Sequence, residues 1–168
     1  MRRLTAMLLM FALTSCGGGG GATPETHVTP PPPKPATTRK SIALTCGATK
    51  MQLPAMPAGL ERAGTFRRLG SLTRRLDVKG VTWRQNDEQV YVGVVCGVRT
   101  AEQFATLVAR SALTAYKGRP ALRWNTRTGL RNFMWLERPG TAVYIGATPG
   151  LAGQIRQIAA GVTPSPAP

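Results

Sequence analysis

Acidic residues are scarce in this 168-residue chain, seven against 22 Lys and Arg, and there is one histidine, His27. With so few imidazoles the chain has neither a His-rich metal site nor a Ser-His-Asp or Cys-His catalytic arrangement. Gly-x-Ser-x-Gly, Ser-x-x-Lys, P-loop and Gly-x-Gly-x-x-Gly motifs are all missing, as is any Cys-x-x-Cys pair. Aromatic residues make up only 6%. What is present is apolar content of 42%, sufficient for a core, in a length that fits one domain plus tails. The formal charge is +15, yet only 17% of residues are charged, so the basicity owes as much to missing acids as to added bases.

The chain begins with a positive Met1-Arg2-Arg3 and a ten-residue, mostly apolar run from Leu4 to Leu13. As a helix such a run reaches about 15 Å, half of a ~30 Å hydrocarbon core, so it reads as a signal-peptide hydrophobic region and not as a membrane span. It ends in Leu13-Thr14-Ser15-Cys16. This resembles the lipobox of bacterial lipoproteins. The resemblance implies a leader over 1–15, a diacylglyceryl thioether on Cys16 and acylation of the new amine. Two or three chains, at ~0.8 kcal/mol per buried CH₂, make a durable anchor where one would be marginal. Gly17 follows the cysteine; by similarity to Gram-negative sorting rules, the lack of Asp there implies the outer membrane, facing the periplasm. The competing reading is an ordinary secretory signal with a chance cysteine.

Residues 16–40 carry five consecutive glycines, Gly17 to Gly21, and the run Pro30-Pro31-Pro32-Pro33-Lys34-Pro35. Flexible coil followed by polyproline II is expected there. A spacer fits this composition better than a ligand for an aromatic groove. A single domain is expected over 41–161, with a disordered tail over 162–168.

Within the domain, Ser41 to Cys46 alternates as a strand does, with Ile42, Leu44 and Cys46 on one face. Pro54 and Pro57 mark a loop. Residues 64–85 suit either a helix carrying Leu69, Leu72 and Leu76 or two strands, and two strands are assigned. Gln89 to Val98 is the clearest strand, with apolar residues on both faces, and is expected in the sheet interior. Thr100-Ala101-Glu102-Gln103 is a capping box opening a helix over about 100–117, with Phe104, Val108, Ala112 and Ala115 as its stripe and Gly118 as its stop. Strands follow at Ala121 to Thr126, Leu130 to Glu137 and Thr141 to Ala147. Thr148-Pro149 opens a second helix over about 149–160. The expected class is α+β: one antiparallel sheet of about five to six strands with two helices. The closing strands and helix are similar to the ending of small periplasmic α+β domains of the PsbP-like and LolA-like classes, a resemblance that implies fold alone.

Cys46 and Cys96 form an even pair in an exported domain, both on apolar strand faces. A structural disulfide is expected; a redox or metal role lacks any partner ligand. Glu61, Asp77, Asp87, Glu88, Glu102 and Glu137 are scattered, so a glycosidase pair would have to be assembled by the fold. The expectation is a non-enzymatic domain with no cofactor and no metal.

Loss of Arg2 and Arg3 with the leader would leave 20 bases, 15 of them Arg. Arg119, Arg123 and Arg127 recur at i, i+4 and i+8, which in a strand is one face, opposite Leu122 and Trp124; Arg131 begins the next strand. Arginine pairs bidentately with phosphate and carboxylate, so these four are the candidate anion-binding residues. The competing reading is a solvated face, with Trp83, Trp124 and Trp135 as core. Three functions follow for testing. The first is a lipid-anchored envelope module binding an envelope protein or an anionic component, polymer or lipid headgroup, with nucleic acid ranked last because such a domain meets it only during uptake. The second is a carrier or chaperone of an apolar ligand, which needs a pocket lined by residues such as Phe104, Trp124, Met134 and Val143. The third is an enzyme with acids or arginines converging in a cleft.

Overall fold

The computed structural model describes residues 41–165. The leader, Cys16, the whole Gly/Pro-rich segment to 40 and residues 166–168 of the expected tail lie outside the described residues. Ten strands in two sheets and two helices are found among the described residues, so the α+β class holds with more strands than expected.

The larger sheet contains β3 (Glu61–Phe66), β4 (Asp77–Gln85), β5 (Glu88–Cys96), β6 (Ala112–Tyr116), β7 (Arg119–Asn125), β8 (Arg131–Arg138) and β9 (Thr141–Ala147). Its order is β3-β4-β5-β9-β8-β7-β6, antiparallel throughout. Two meanders therefore meet where β5 pairs with β9. The smaller sheet places β2 (Thr49–Gln52) between β1 (Ala43–Cys46) and β10 (Thr163–Pro164).

Strand periodicity sorts the side chains into two cores. On one face, Val90, Val92 and Val94 of β5 meet Val143 and Ile145 of β9 and Phe133 and Trp135 of β8. The small sheet covers this face with Cys46 and Met51, and α2 (Ile155–Gly161), after a 3₁₀ segment (Pro149–Gln154), adds Ile158 and Ala159. On the other face Val95, Tyr144, Met134, Leu122 and Trp124 pack under α1 (Ala101–Ala105) and the residues after it, through Phe104, Leu107 and Val108. With both faces covered, β5 is an interior strand as its sequence implies.

The first helix is the largest correction. It was expected over about 100–117 and spans only Ala101–Ala105. Its start follows the capping logic: Thr100 Oγ1 accepts from Gln103 N at 3.2 Å, and Gln103 Oε1 accepts from Arg99 N at 3.1 Å. Its end is set by Thr106, whose hydroxyl bonds back to the Glu102 and Gln103 carbonyls. Ala112 and Ala115 are exposed residues of β6 and form no buried stripe. Gly118 is half of a hairpin tip, with φ of 48° at Lys117 and 74° at Gly118, the left-handed pair that matches the twist of β6 and β7. Cross-strand pairing outside this window outweighs helical spacing within it.

Residues 64–85 contain β4 and the end of β3, separated by an irregular 67–76 segment whose Leu69, Leu72 and Leu76 reach the second core without a helix. The second helix begins as a 3₁₀ turn before α2. The chain beyond 161 continues the fold instead of fraying at once: Val162 is buried and Thr163–Pro164 pair with Gln52 and Met51 of β2. Pro164 is tolerated because β10 is an edge strand.

Cys46 and Cys96 are bridged, with Cα atoms 5.3 Å apart, covalently joining β1 of the small sheet to the end of β5. On the second face Phe66 lies over two glycines. A Cβ at Gly80 would sit 2.1 Å from its ring, and one at Gly93 would sit 3.0 Å away. Glycine is required at Gly80 by this close approach.

Candidate functional site

The period of two in β7 puts Arg119, Ala121, Arg123 and Asn125 on one face and Leu122 and Trp124 on the other. Register then decides their neighbours: Arg123 lies opposite Phe133, and Asn125 opposite Arg131. The side carrying Arg123 is not purely solvated, because the same face holds Phe133 and Trp135 of the first core. Tyr116 of β6 stands edge-on to Phe133, ring centroids 5.3 Å apart, and tilts against Trp135 at 5.0 Å. The Arg123 guanidinium lies over the Phe133 ring at 5.4 Å, and Lys117 Nζ sits 5.3 Å from the Tyr116 ring. Both are cation–π distances.

Ala152 of the 3₁₀ segment and Ile155, Arg156 and Ala160 of α2 form the other wall of this surface. The result is a groove of about 530 Å³ between α2 and strands β6 to β8. Its cations are Lys117, Arg123, Arg131 and Arg156, and none of the described residues lining it is acidic. Four positive groups around an aromatic and aliphatic floor form a site able to hold an anion that also carries an apolar part.

Of the four arginines singled out in the sequence, the structure brings Arg123 and Arg131 together in this groove. Arg119 does not line it. Its Nη1 donates to Glu137 Oε2 at 2.8 Å, and the same oxygen accepts from Trp135 Nε1 at 2.9 Å. Glu137 is buried, so Arg119 is the counter-charge of an interior carboxylate. Arg127 does not share the strand face either, because β7 ends at Asn125. There Thr126 Oγ1 accepts from Leu130 N at 3.1 Å, and Gly129 takes φ of 81°, closing a turn that leaves Arg127 exposed outside the groove. Lys117 and Arg156 escaped the sequence reading. Lys117 looked like a helix end, and Arg156 gains meaning only once α2 is laid beside β8.

Of the remaining acids, Glu61 and Asp87 line a polar cleft of about 630 Å³ together with Arg62 and Arg84, at the edge where β3 meets the β4–β5 turn. Glu88 Oε2 accepts from Gly150 N at 3.0 Å at the start of the 3₁₀ segment, and Asp77 lies 3.8 Å from Lys79 Nζ. Among the described residues, no three His, Cys, Asp or Glu come together to hold a metal ion. Trp83, Trp124 and Trp135 are all buried.

A second cavity of about 370 Å³ opens on the opposite face beside Phe66, Leu69, Tyr91 and Tyr144. Its polar floor is internally satisfied: Tyr144 donates to Asn132 Oδ1 at 2.7 Å, and Asn132 Nδ2 donates to the Leu130 carbonyl at 2.9 Å. Burial, with a smaller effect of the neighbouring Tyr91, raises the Tyr144 hydroxyl far above the ordinary tyrosine range. Of the residues expected to line a carrier pocket, Phe104, Trp124 and Met134 are packed into the second core, and Val143 belongs to the first.

No protein-family model, no curated protein and no solved structure matches the chain. The geometry of the groove therefore carries the functional argument.

Proposed function

We propose that this chain is an envelope lipoprotein, held at the membrane through lipid on Cys16, whose domain is a non-enzymatic module binding an anionic envelope component in the groove between α2 and β6 to β8. One observation carries the reading: Lys117, Arg123, Arg131 and Arg156 line a common groove with no carboxylate among its lining residues. At physiological salt the screening length is about 8 Å, so cations act jointly on a ligand only when clustered at one contact. Arginine adds bidentate geometry for phosphate or carboxylate oxygens. The lipobox supports ranking headgroups and envelope polysaccharides ahead of nucleic acid.

The test uses the unlipidated chain carrying Cys16→Ser, titrated against heparin at two salt concentrations. Each Lys or Arg near an anionic surface contributes about 1 kcal/mol, so replacing Arg123, Arg131 and Arg156 by Gln should weaken binding on the order of a hundredfold and flatten its salt dependence. Arg127→Gln serves as the comparison outside the groove. Equal affinity of the triple variant and its parent would defeat the proposal.

A further inference from the structure

The groove contains more than its charges require. Between the cations runs an apolar strip made of Phe133, Tyr116, Ile155 and the two alanines Ala152 and Ala160. A small, fully polar anion would satisfy the arginines and leave this strip facing water. An acyl chain would use it. At about 530 Å³ the groove falls within the usual range for sites of small ligands.

We infer that the groove takes a single-chain anionic amphiphile, its headgroup held by Arg123, Arg131 and Arg156 and its chain laid along Ile155 and the Tyr116–Phe133 pair. This rests on the anion-binding reading and adds the apolar half of the ligand. Phosphate and carboxylate headgroups share the chemistry that the guanidinium groups recognise. The chain is the discriminating part. Each methylene taken out of water is worth about fourfold in affinity, so four of them contribute more than a hundredfold.

The experiment titrates the unlipidated Cys16→Ser chain with palmitoyl lysophosphatidic acid and with palmitate below their micelle concentrations. Glycerol 3-phosphate and butyrate are the short counterparts, and monopalmitoylglycerol is the uncharged one. Both long-chain anions, or one of them, should bind at least a hundredfold more tightly than the short anion of the same headgroup and more tightly than the neutral lipid. Ala152→Trp and, at a more exposed position, Ala160→Trp place an indole on the apolar strip. Whichever keeps the parent's thermal unfolding should bind the long-chain anion at least tenfold more weakly. Chain-length-independent affinity, or tight binding that neither tryptophan disturbs, would overturn the inference. Failure of the underlying reading looks different: heparin binding would then survive Arg123→Gln, Arg131→Gln and Arg156→Gln together. Heparin binding lost in that variant, alongside indifference to chain length, removes only the amphiphile.

Discussion

Replacing Arg119 by Met should cost the fold stability and leave polyanion binding almost untouched. The substitution retains an unbranched apolar stem and removes the guanidinium. What remains is Glu137, whose side chain is 4% exposed, holding its Trp135 bond and no counter-charge. Stripping one partner from a buried polar group costs about 1–3 kcal/mol, and more when the group is charged. Arg119 is itself 42% exposed, so water already screens part of the pair; we expect about 2 kcal/mol, within that range. The complementary change, Glu137→Gln, leaves the exposed member charged and hydrated and preserves an acceptor for Trp135 Nε1, so it should cost under about 1 kcal/mol. Urea unfolding followed by tryptophan fluorescence reads both. With a slope of about 2 kcal/mol/M, Arg119→Met moves the midpoint by about 1 M and Glu137→Gln by less than half of that. Equal effects, or a larger one for Glu137→Gln, would refute the view that the buried carboxylate is the vulnerable partner. Lost heparin affinity in a folded Arg119→Met protein would return Arg119 to the binding surface.

Removing the Cys46–Cys96 bridge by paired Ala substitution opens a loop of 50 residues and should cost about 4 kcal/mol in the chain-entropy model, lowering Tm by roughly 15 °C; scanning calorimetry showing less than a 3 °C change would contradict it. Tyr144 ionises in the unfolded chain near the ordinary value of about 10 and resists ionisation when folded, so its contribution is complete below that pH and is lost as pH rises through the raised native value. Ultraviolet titration of the native protein should leave part of the tyrosine signal withheld until alkaline unfolding; complete tyrosine ionisation before any loss of circular dichroism would argue against the burial of Tyr144. Cys16→Ser should release the chain from membranes and abolish lipoprotein processing; a variant that stays membrane-bound, unmodified and correctly processed would overturn the lipid anchor.

Legibility in the sequence followed the range of the interactions. Val90, Val92 and Val94 alternate with Tyr91, Gly93 and Val95, and both sets are apolar or small, so an interior strand could be read from β5 alone. Cys46 and Cys96 sit on inward strand faces, and the structure bridges them. The β6 strand was hidden because Ala112 to Tyr116 repeats at helical as well as strand spacing, and what decides between them is pairing with β7 across the Lys117–Gly118 tip. β2 and β10 were hidden because four residues and two residues are too short to show a period. The groove lay further out of reach. Arg123 and Arg131 were found by spacing, whereas assigning Arg156 needed the docking of α2, and excluding Arg119 needed the position of Glu137 on β8. Spacing also counted Arg127 into a strand that Thr126 and Gly129 terminate.

The disulfide has a mechanical consequence. A pull on the chain from its N-terminal side enters at Ser41 and reaches Cys46 within β1. There it passes through sulfur directly to Cys96 and continues into α1, β6, β7 and β8, the side of the molecule that carries the groove. Residues 47–95, with β2, β3, β4 and nearly all of β5, form a closed covalent loop outside the line of tension. Drag on a ligand seated in the groove would load β8, β9 and α2 against that anchor point, while the strands that supply a third of the first core's buried residues remain slack. Reducing the bridge would put those same strands in series with the load and let them pay out as rope.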